Sequence, residues 1–419
     1  MLRSGDSQLS VRPTARGWQA LAAGVLTLFV ARLIGTTQFH QLAYALLALP
    51  LASLVLGVIG SRGLLYSRVL PQGTRVTAGD PAKVNLLLRR SRFGATRAGV
   101  VDRLPEPRSF EFPPPRGREG SRIEAPLDFA RRGVYELGPA EVRVADPFGL
   151  LSFARRFEQR MEVVVYPKTH DLRGFPLRGG NVDAGSRGSR GRRGEEFAGL
   201  REYRRGDDRR HIHWKSVART GELFVKEFSL QAPRRHTVVL DLRREGIRPQ
   251  EAEVEDAVSA AASVLAHLSH ERLPARLLGT DRGGASTEFG ADEASYWEAM
   301  RLLATVRADG GRPLGEAVLA ERDKLGESVV LVSRTRDEKL PASVRKLREI
   351  GLSVIVVSLA THTYRTPPGS GGAAQSREAE FLRSIARLEA AGTAVRVVSH
   401  PAGVGGLSER GNRELGAVW

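Results

Sequence analysis

Trp18 to Ile34 reads WQALAAGVLTLFVARLI, and Leu42 to Ile59 reads LAYALLALPLASLVLGVI. Each stretch is close to the shortest helix able to cross a hydrocarbon core, for which about 17–25 residues suffice. The second stretch carries no charge. The first carries only Arg32, near its far end, where a long side chain reaches the headgroups. Pro50 falls inside the second, a position that membrane helices tolerate. Neither stretch has the polar stripe of a helix on a soluble surface. A cleaved signal peptide is the competing reading, with Arg12 and Arg16 as its basic head. The immediate second span and the lack of a convincing cleavage site between the two weigh against it.

The flanks set an orientation. Arg3, Arg12 and Arg16 precede the first span, Arg62 and Arg68 follow the second, and the connection from Gly35 to Gln41 has no charge. The positive-inside rule then expects both chain ends, and everything after Gly60, on the cytoplasmic side of an inner (cytoplasmic) membrane. The net charge of +17, from 64 Lys+Arg against 47 Asp+Glu, suits an anionic leaflet or nucleic acid, and also follows from Arg-rich, GC-rich coding. The absence of cysteine excludes disulfides, thiolate metal sites and cysteine nucleophiles.

Working outward, four segments are expected: the tail and transmembrane hairpin over 1–65, a small β-rich sandwich over 66–172, a basic linker with a distinctive segment over 173–232, and an α/β domain over 233–419. In the second, short apolar runs such as Val84–Leu88, Ile123–Phe129, Val134–Leu137, Glu141–Val144 and Val163–Tyr166 are separated by turn signals. One of these, Asp146-Pro147-Phe148-Gly149-Leu150, predicts a tight turn leading into a strand. Gly174 to Gly194 is rich in Gly, Arg and Ser and predicts a mobile basic linker, with a lipid or nucleic-acid tether as its possible use. From His236 on, continuous Val/Ile/Leu strands alternate with helices, which predicts a largely parallel, doubly wound sheet covered on both faces.

The densest chemistry lies between Glu196 and Glu227. Gly206-Asp207 predicts a break that caps a helix from Asp208, with Gly221 ending it. Arginines interleaved with Tyr203 and Trp214 suit stacking on bases and gripping of phosphates, or an internal ion-pair lattice. Because Glu195, Glu196, Glu202, Asp207 and Asp208 match the basic residues, the lattice is favoured and nucleic acid is not expected as a partner. Asp207, Asp208, His211 and His213 are the residues an enzyme or a metal site here would use, but their spacing fits no familiar ligand geometry. No Walker loop, dinucleotide glycine fingerprint or serine nucleophile elbow accompanies them.

This segment resembles the signature of a bacterial membrane family, domain-of-unknown-function family fifty-eight. The resemblance rests on Gly199-Leu200-Arg201 with Tyr203, then Gly206-Asp207, Arg210 with Ile212 and Trp214, Ala218-Arg219 with Gly221, and Lys226. Arg132 to Tyr135 and Asp146 to Leu150 match the same family upstream. The resemblance implies a membrane hairpin, a β-rich domain and a C-terminal domain similar to von Willebrand factor type A. It also implies a membrane-anchored scaffold or adaptor working with a MoxR-type AAA+ ATPase, and with other membrane or envelope proteins, in assembling or remodelling complexes. No cofactor and no catalysed reaction are implied. A type A domain holds Mg²⁺ through Asp-x-Ser-x-Ser after its first strand. Here Asp241 is followed by Arg243 and Glu245 at the serine positions, and Ser333-Arg334-Thr335 stands where an Asp is expected. The fold is therefore expected to persist with its metal site lost, Arg243 repelling a divalent ion.

Overall fold

The computed structural model describes residues 9–61, 64–71, 75–89, 98–113, 120–172, 174–175, 195–204, 212–230, 236–244, 251–290, 292–365 and 371–407. They fall in two compact units, Met1–Tyr166 and Pro167–Trp419.

In the first unit a strand, β1 (Leu9–Pro13), runs straight into helix α1 (Ala15–Ile34), and α2 (Thr37–Ser61) returns. Gly35 ends α1 in the left-handed region at φ 74°, a conformation that costs glycine little. Small residues make the contact between the helices: Gly24 lies against Leu47, and Ala31 and Ala43 are fully buried. Around the outside, Trp18, Leu26, Phe29, Leu33, Leu42 and Leu51 are 52–72% exposed. Both helices are long and apolar enough to cross a membrane, and only 17% of each apolar window is buried. Core helices of soluble proteins are mostly buried, so this exposed apolar girdle points to membrane association. The second helix extends beyond the stretch Leu42–Ile59 at both ends.

The rest of this unit is β-structure: β2 (Leu65–Val69), β3 (Val76–Thr77), β4 (Pro81–Arg89), β5 (Ala98–Leu104), β6 (Glu106–Phe112), β7 (Ser121–Asp128), β8 (Gly133–Leu137), β9 (Ala140–Ala145), β10 (Leu151–Phe157) and β11 (Met161–Tyr166). The sheets run β1-β10-β9-β5-β6, β2-β4-β7 and β3-β11-β8. Leu86, Leu88, Val100, Leu104, Phe112, Leu127, Val142 and Val165, drawn from all three sheets, share one core. Strand β5 alternates inward and outward, which carries Asp102 into that core along with Val100 and Leu104. Arg68 satisfies it in two places, Nη2 to Oδ1 at 2.6 Å and Nε to Oδ2 at 2.8 Å, and the Tyr66 hydroxyl also donates to it. Burial and the adjacent Asp102 carboxylate raise the Tyr66 pKa well above the usual phenol value. The N-terminal tail, read from sequence as a mere lead-in, thus supplies an edge strand, while β5, β6 and β10 lacked a clean apolar run and went unread.

The second unit opens with a two-stranded ribbon, β12 (Glu195–Glu202) and β13 (Phe224–Leu230), with the short helix α3 (Trp214–Thr220) between them in sequence. Then come β14 (His236–Leu240), α4 (Glu251–His270), β15 (Ala275–Gly279), β16 (Ser286–Phe289), α5 (Glu293–Thr305), α6 (Leu314–Ala320), β17 (Ser328–Ser333), α7 (Leu340–Glu349), β18 (Ser353–Leu359), α8 (Thr361–Arg365), α9 (Gly371–Ala390) and β19 (Ala394–Val398). They form one sheet, β16-β15-β14-β17-β18-β19, parallel except for the edge strand β16. Val239, Val329, Leu331, Val354 and Val356 face a core made with α6, α7 and α9. The alternate residues Val238, Leu240, Val330 and Val332, equally buried, occupy the opposite face, where α4 packs. The chain leaves β14 toward β15 and later returns to β17 on β14's other side. The topological switch, the usual ligand position of such sheets, therefore lies beyond the carboxyl ends of β14 and β17.

Candidate functional site

Three places concentrate polar chemistry. The first is the Asp146–Gly149 turn. Asp146 is 2% exposed, and its carboxylate accepts from Phe148 N at 2.9 Å, Leu151 N at 2.6 Å and the Ser53 hydroxyl of α2 at 2.8 Å. Gly149 closes the turn at φ 71°, its N–H donating to Asp146 O at 3.0 Å. Thr14 grips the other side. Its hydroxyl lies 2.8 Å from Gly149 O and 3.0 Å from Leu150 O, and it caps α1 by accepting from Gly17 N at 3.1 Å. Two glycines permit the close approach. A Cβ on Gly17 would lie 2.2 Å from Leu150 O, and one on Gly57 would lie 2.0 Å from the Phe153 ring. The turn read from sequence is therefore also a latch that fastens both apolar helices to the β-structure.

The second place is the ribbon carrying the distinctive segment. Gly199, Leu200 and Arg201 pair in register with Glu227, Lys226 and Val225. Tyr203 N donates to Leu223 O, and His213 N to Phe224 O, both at 2.8 Å. Ile212 bridges to Val225, and both are buried. The ring of His213 lies 2.8 Å from the Ser216 hydroxyl at the start of α3, and Gly221 ends that helix at φ 76°. Ala218 and Arg219 sit on the exposed side of α3. Gly206, Asp207, Asp208, Arg210 and His211 lie outside the described residues, as do 176–194 of the basic linker and Glu245. Trp214, expected inside an ion-pair lattice, is instead 65% exposed, and Leu223, which precedes the Phe224 that His213 pairs with, is 43% exposed. An exposed indole and leucine at one end of a ribbon suit contact with a protein or a membrane surface.

The third is the switch point of the sheet. Asp241, fully buried, accepts through Oδ2 from Thr335 N at 2.8 Å, Thr335 Oγ1 at 2.6 Å and Arg334 N at 3.3 Å, and through Oδ1 from Arg243 N at 3.1 Å. Next to it the guanidinium of Arg334, 1% exposed, meets Glu253 of α4 at 2.9 Å and donates to the carbonyl of Arg243. The cation built into this edge is thus Arg334 and not Arg243, whose own side chain turns away to donate to Arg336 O at 2.6 Å. The Ser333 hydroxyl reaches Thr335 O at 3.4 Å. Among the described residues, no three His, Cys, Asp or Glu side chains gather as a metal-holding group.

With the ribbon and Asp241 placed, the comparisons take on structural meaning. Residues 199–281 match the family model described as "Protein of unknown function DUF58". The matched stretch runs from Gly199 on β12 through Asp241 and Glu253 to Asp281, just past the end of β15. The chain is also 25% identical over 373 residues to "Uncharacterized protein YeaD" of Bacillus subtilis (strain 168), covering 82% of this chain and 90% of that one. No solved structure matches. The DUF58 stretch stops short of β17, so Arg334 and Thr335, which complete the Asp241 network, lie beyond it.

Sequence reasoning singled out Asp146, the ribbon, and Asp241 together with Arg243 and Ser333-Arg334-Thr335, but missed the partners of the Asp146 turn and the pairing of Arg334 with Glu253. Thr14, Gly17, Ser53 and Gly57 read as ordinary residues near or within the spans. Only the small size of Gly17 and Gly57 signalled a close approach. The pairing of Arg334 with Glu253 carried no local signal, because an ion pair in a core is recognisable only once its burial is known.

Proposed function

We propose that this chain is a membrane-anchored scaffold of the inner (cytoplasmic) membrane. Its hairpin crosses twice, and both its ends and its two soluble bodies lie on the cytoplasmic side. The observation that carries the reading is the apolar girdle of α1 and α2 ending at the Asp146 latch. Hydrocarbon solvates the one, and a rigid polar joint holds the β-structure against the base of the other. A joint of this kind transmits force between bilayer and body, which a flexible tether does not. Arg12 and Arg16 at that base, against an uncharged far connection, support the orientation.

The second body is a von Willebrand factor type A-like platform in this reading. Arg334 and Glu253 serve as its internal tie, and the exposed Trp214 and Leu223 on the ribbon serve as contacts for a partner. The family resemblance supports a MoxR-type AAA+ ATPase as that partner, with assembly or remodelling of envelope complexes as the outcome.

The absence of native cysteine makes the test direct. Gln38→Cys in the far connection should react with an impermeant maleimide added outside intact cells, and Lys83→Cys only after permeabilisation. Reaction of Lys83→Cys in intact cells, or release of the chain by alkaline carbonate, would overturn the topology. Purified MoxR-type ATPase from the same cell should bind the full chain in detergent and lose affinity for Trp214→Ala. Equal binding by wild type and variant would refute the assigned contact surface.

A further inference from the structure

One strand away from the switch point, beyond the carboxyl ends of β17 and β18, lies a cavity of about 280 Å³ walled by α7 and α9. Five arginines and three carboxylates line it. The carboxylates are all engaged. Asp337 accepts from Gly315 N at 2.8 Å and Lys339 N at 3.0 Å, and Glu338 and Glu380 both hold Arg336 at 2.9 Å. Arg383 and Arg387, one turn apart on α9, have no carboxylate partner among the described residues. Like charges at this spacing repel, and an anion between them removes the repulsion.

Two further features fit an anion. Arg334 forms part of the wall and brings a guanidinium close to the space, although two of its nitrogens are engaged by Glu253 and the Arg243 carbonyl and its Nε is enclosed. The Ser358 side chain at the end of β18 also lines the space. Beneath these donors the lining turns apolar, at Leu359 and Leu388. Forked guanidinium groups over an apolar floor suit a phosphate carried on an apolar body, and the volume suits a small molecule.

We infer that this cavity binds a small phosphorylated molecule, with Arg383 and Arg387 holding its phosphate. The inference does not depend on the membrane topology or on the partner proposed above.

The test uses the full chain in non-ionic detergent with phenyl phosphate as the probe, followed by titration calorimetry at low salt. Saturable binding is expected, on the order of tenfold weaker in the Arg383→Ala/Arg387→Ala double variant and unchanged in Arg345→Ala on the neighbouring helix. All three positions are exposed, so the variants keep the fold, which an unchanged melting temperature verifies. Inorganic phosphate, lacking a ring for the apolar floor, should bind more weakly. No saturable binding, or equal binding by the double variant, would show only the general pull of a chain of net charge +17 and would overturn the inference. Equal affinity for inorganic phosphate would overturn the apolar-bodied ligand. Saturable binding of an acidic hexapeptide without any of phenyl phosphate would reassign the cavity to a protein segment.

Discussion

Replacing Asp146 by alanine removes one acceptor from three donors at once. These are the Ser53 hydroxyl at 2.8 Å and the backbone N–H groups of Phe148 at 2.9 Å and Leu151 at 2.6 Å. A hydrogen bond to a charged acceptor contributes about 1.5–3 kcal/mol, and a buried donor left alone costs about 1–3 kcal/mol. Water reaches the Phe148 side of the turn, where that residue is 46% exposed, and recovers part of the loss; Ser53 is fully buried and recovers none. The expected destabilisation is therefore about 3–4 kcal/mol for Asp146→Ala and about 1.5 kcal/mol for Ser53→Ala. Because the two share a bond, the double variant should fall short of the sum by about 1–2 kcal/mol. Trp18 lies in the first turn of α1, beside the latch, and the chain's other tryptophans are Trp214, Trp297 and Trp419. With those three changed to Phe, Trp18 fluorescence during guanidinium unfolding of the detergent-solubilised chain reports on this joint. Strict additivity of the two substitutions, or an Asp146→Ala midpoint matching wild type, would refute the latch.

Other consequences can be measured in the same preparation. Gly57→Ala should cost about 1–3 kcal/mol by forcing a methyl into the Phe153 ring, whereas Gly99→Ala, with nothing within 4 Å, should be far milder. Arg334→Ala takes the guanidinium away from the buried Glu253 carboxylate and should cost about 3–5 kcal/mol in thermal unfolding, while Arg334→Met with Glu253→Leu should be milder. Millimolar Mg²⁺ should leave the melting temperature unchanged, since four donors already occupy the Asp241 carboxylate; a rise abolished by Asp241→Ala would contradict this. Burial lowers the pKa of His170, with Lys168 adding to the effect, and burial likewise lowers that of His362. The folded state then binds fewer protons than the unfolded one, so stability is full above the unfolded imidazole value of about 6.5 and declines as pH falls through it. His170→Gln with His362→Gln should flatten that decline in melts recorded across the range.

The local signals were legible where a residue's neighbours in sequence are also its neighbours in space. The two apolar helices, the strands β14, β15, β17, β18 and β19 and the Asp146 turn all declare themselves within a few positions, through hydropathy, period and turn chemistry. Strands β1, β5, β6 and β10 did not, because their half-polar runs become strands only when paired, and β1 needs β10 as its partner. Trp214 likewise looked like lattice material until its exposure was known.

Sequence alone determined that two apolar spans precede a β-rich body and an α/β body, because burying apolar surface leaves a periodic trace along the chain. Tertiary structure decided what the marked residues do. Asp146 meets Ser53 across 93 positions and Thr14 meets Leu150 across 136, while Arg334 meets Glu253 across 81. Polar contacts leave no period, and only folding brings such distant groups within the 3 Å or so over which hydrogen bonds form.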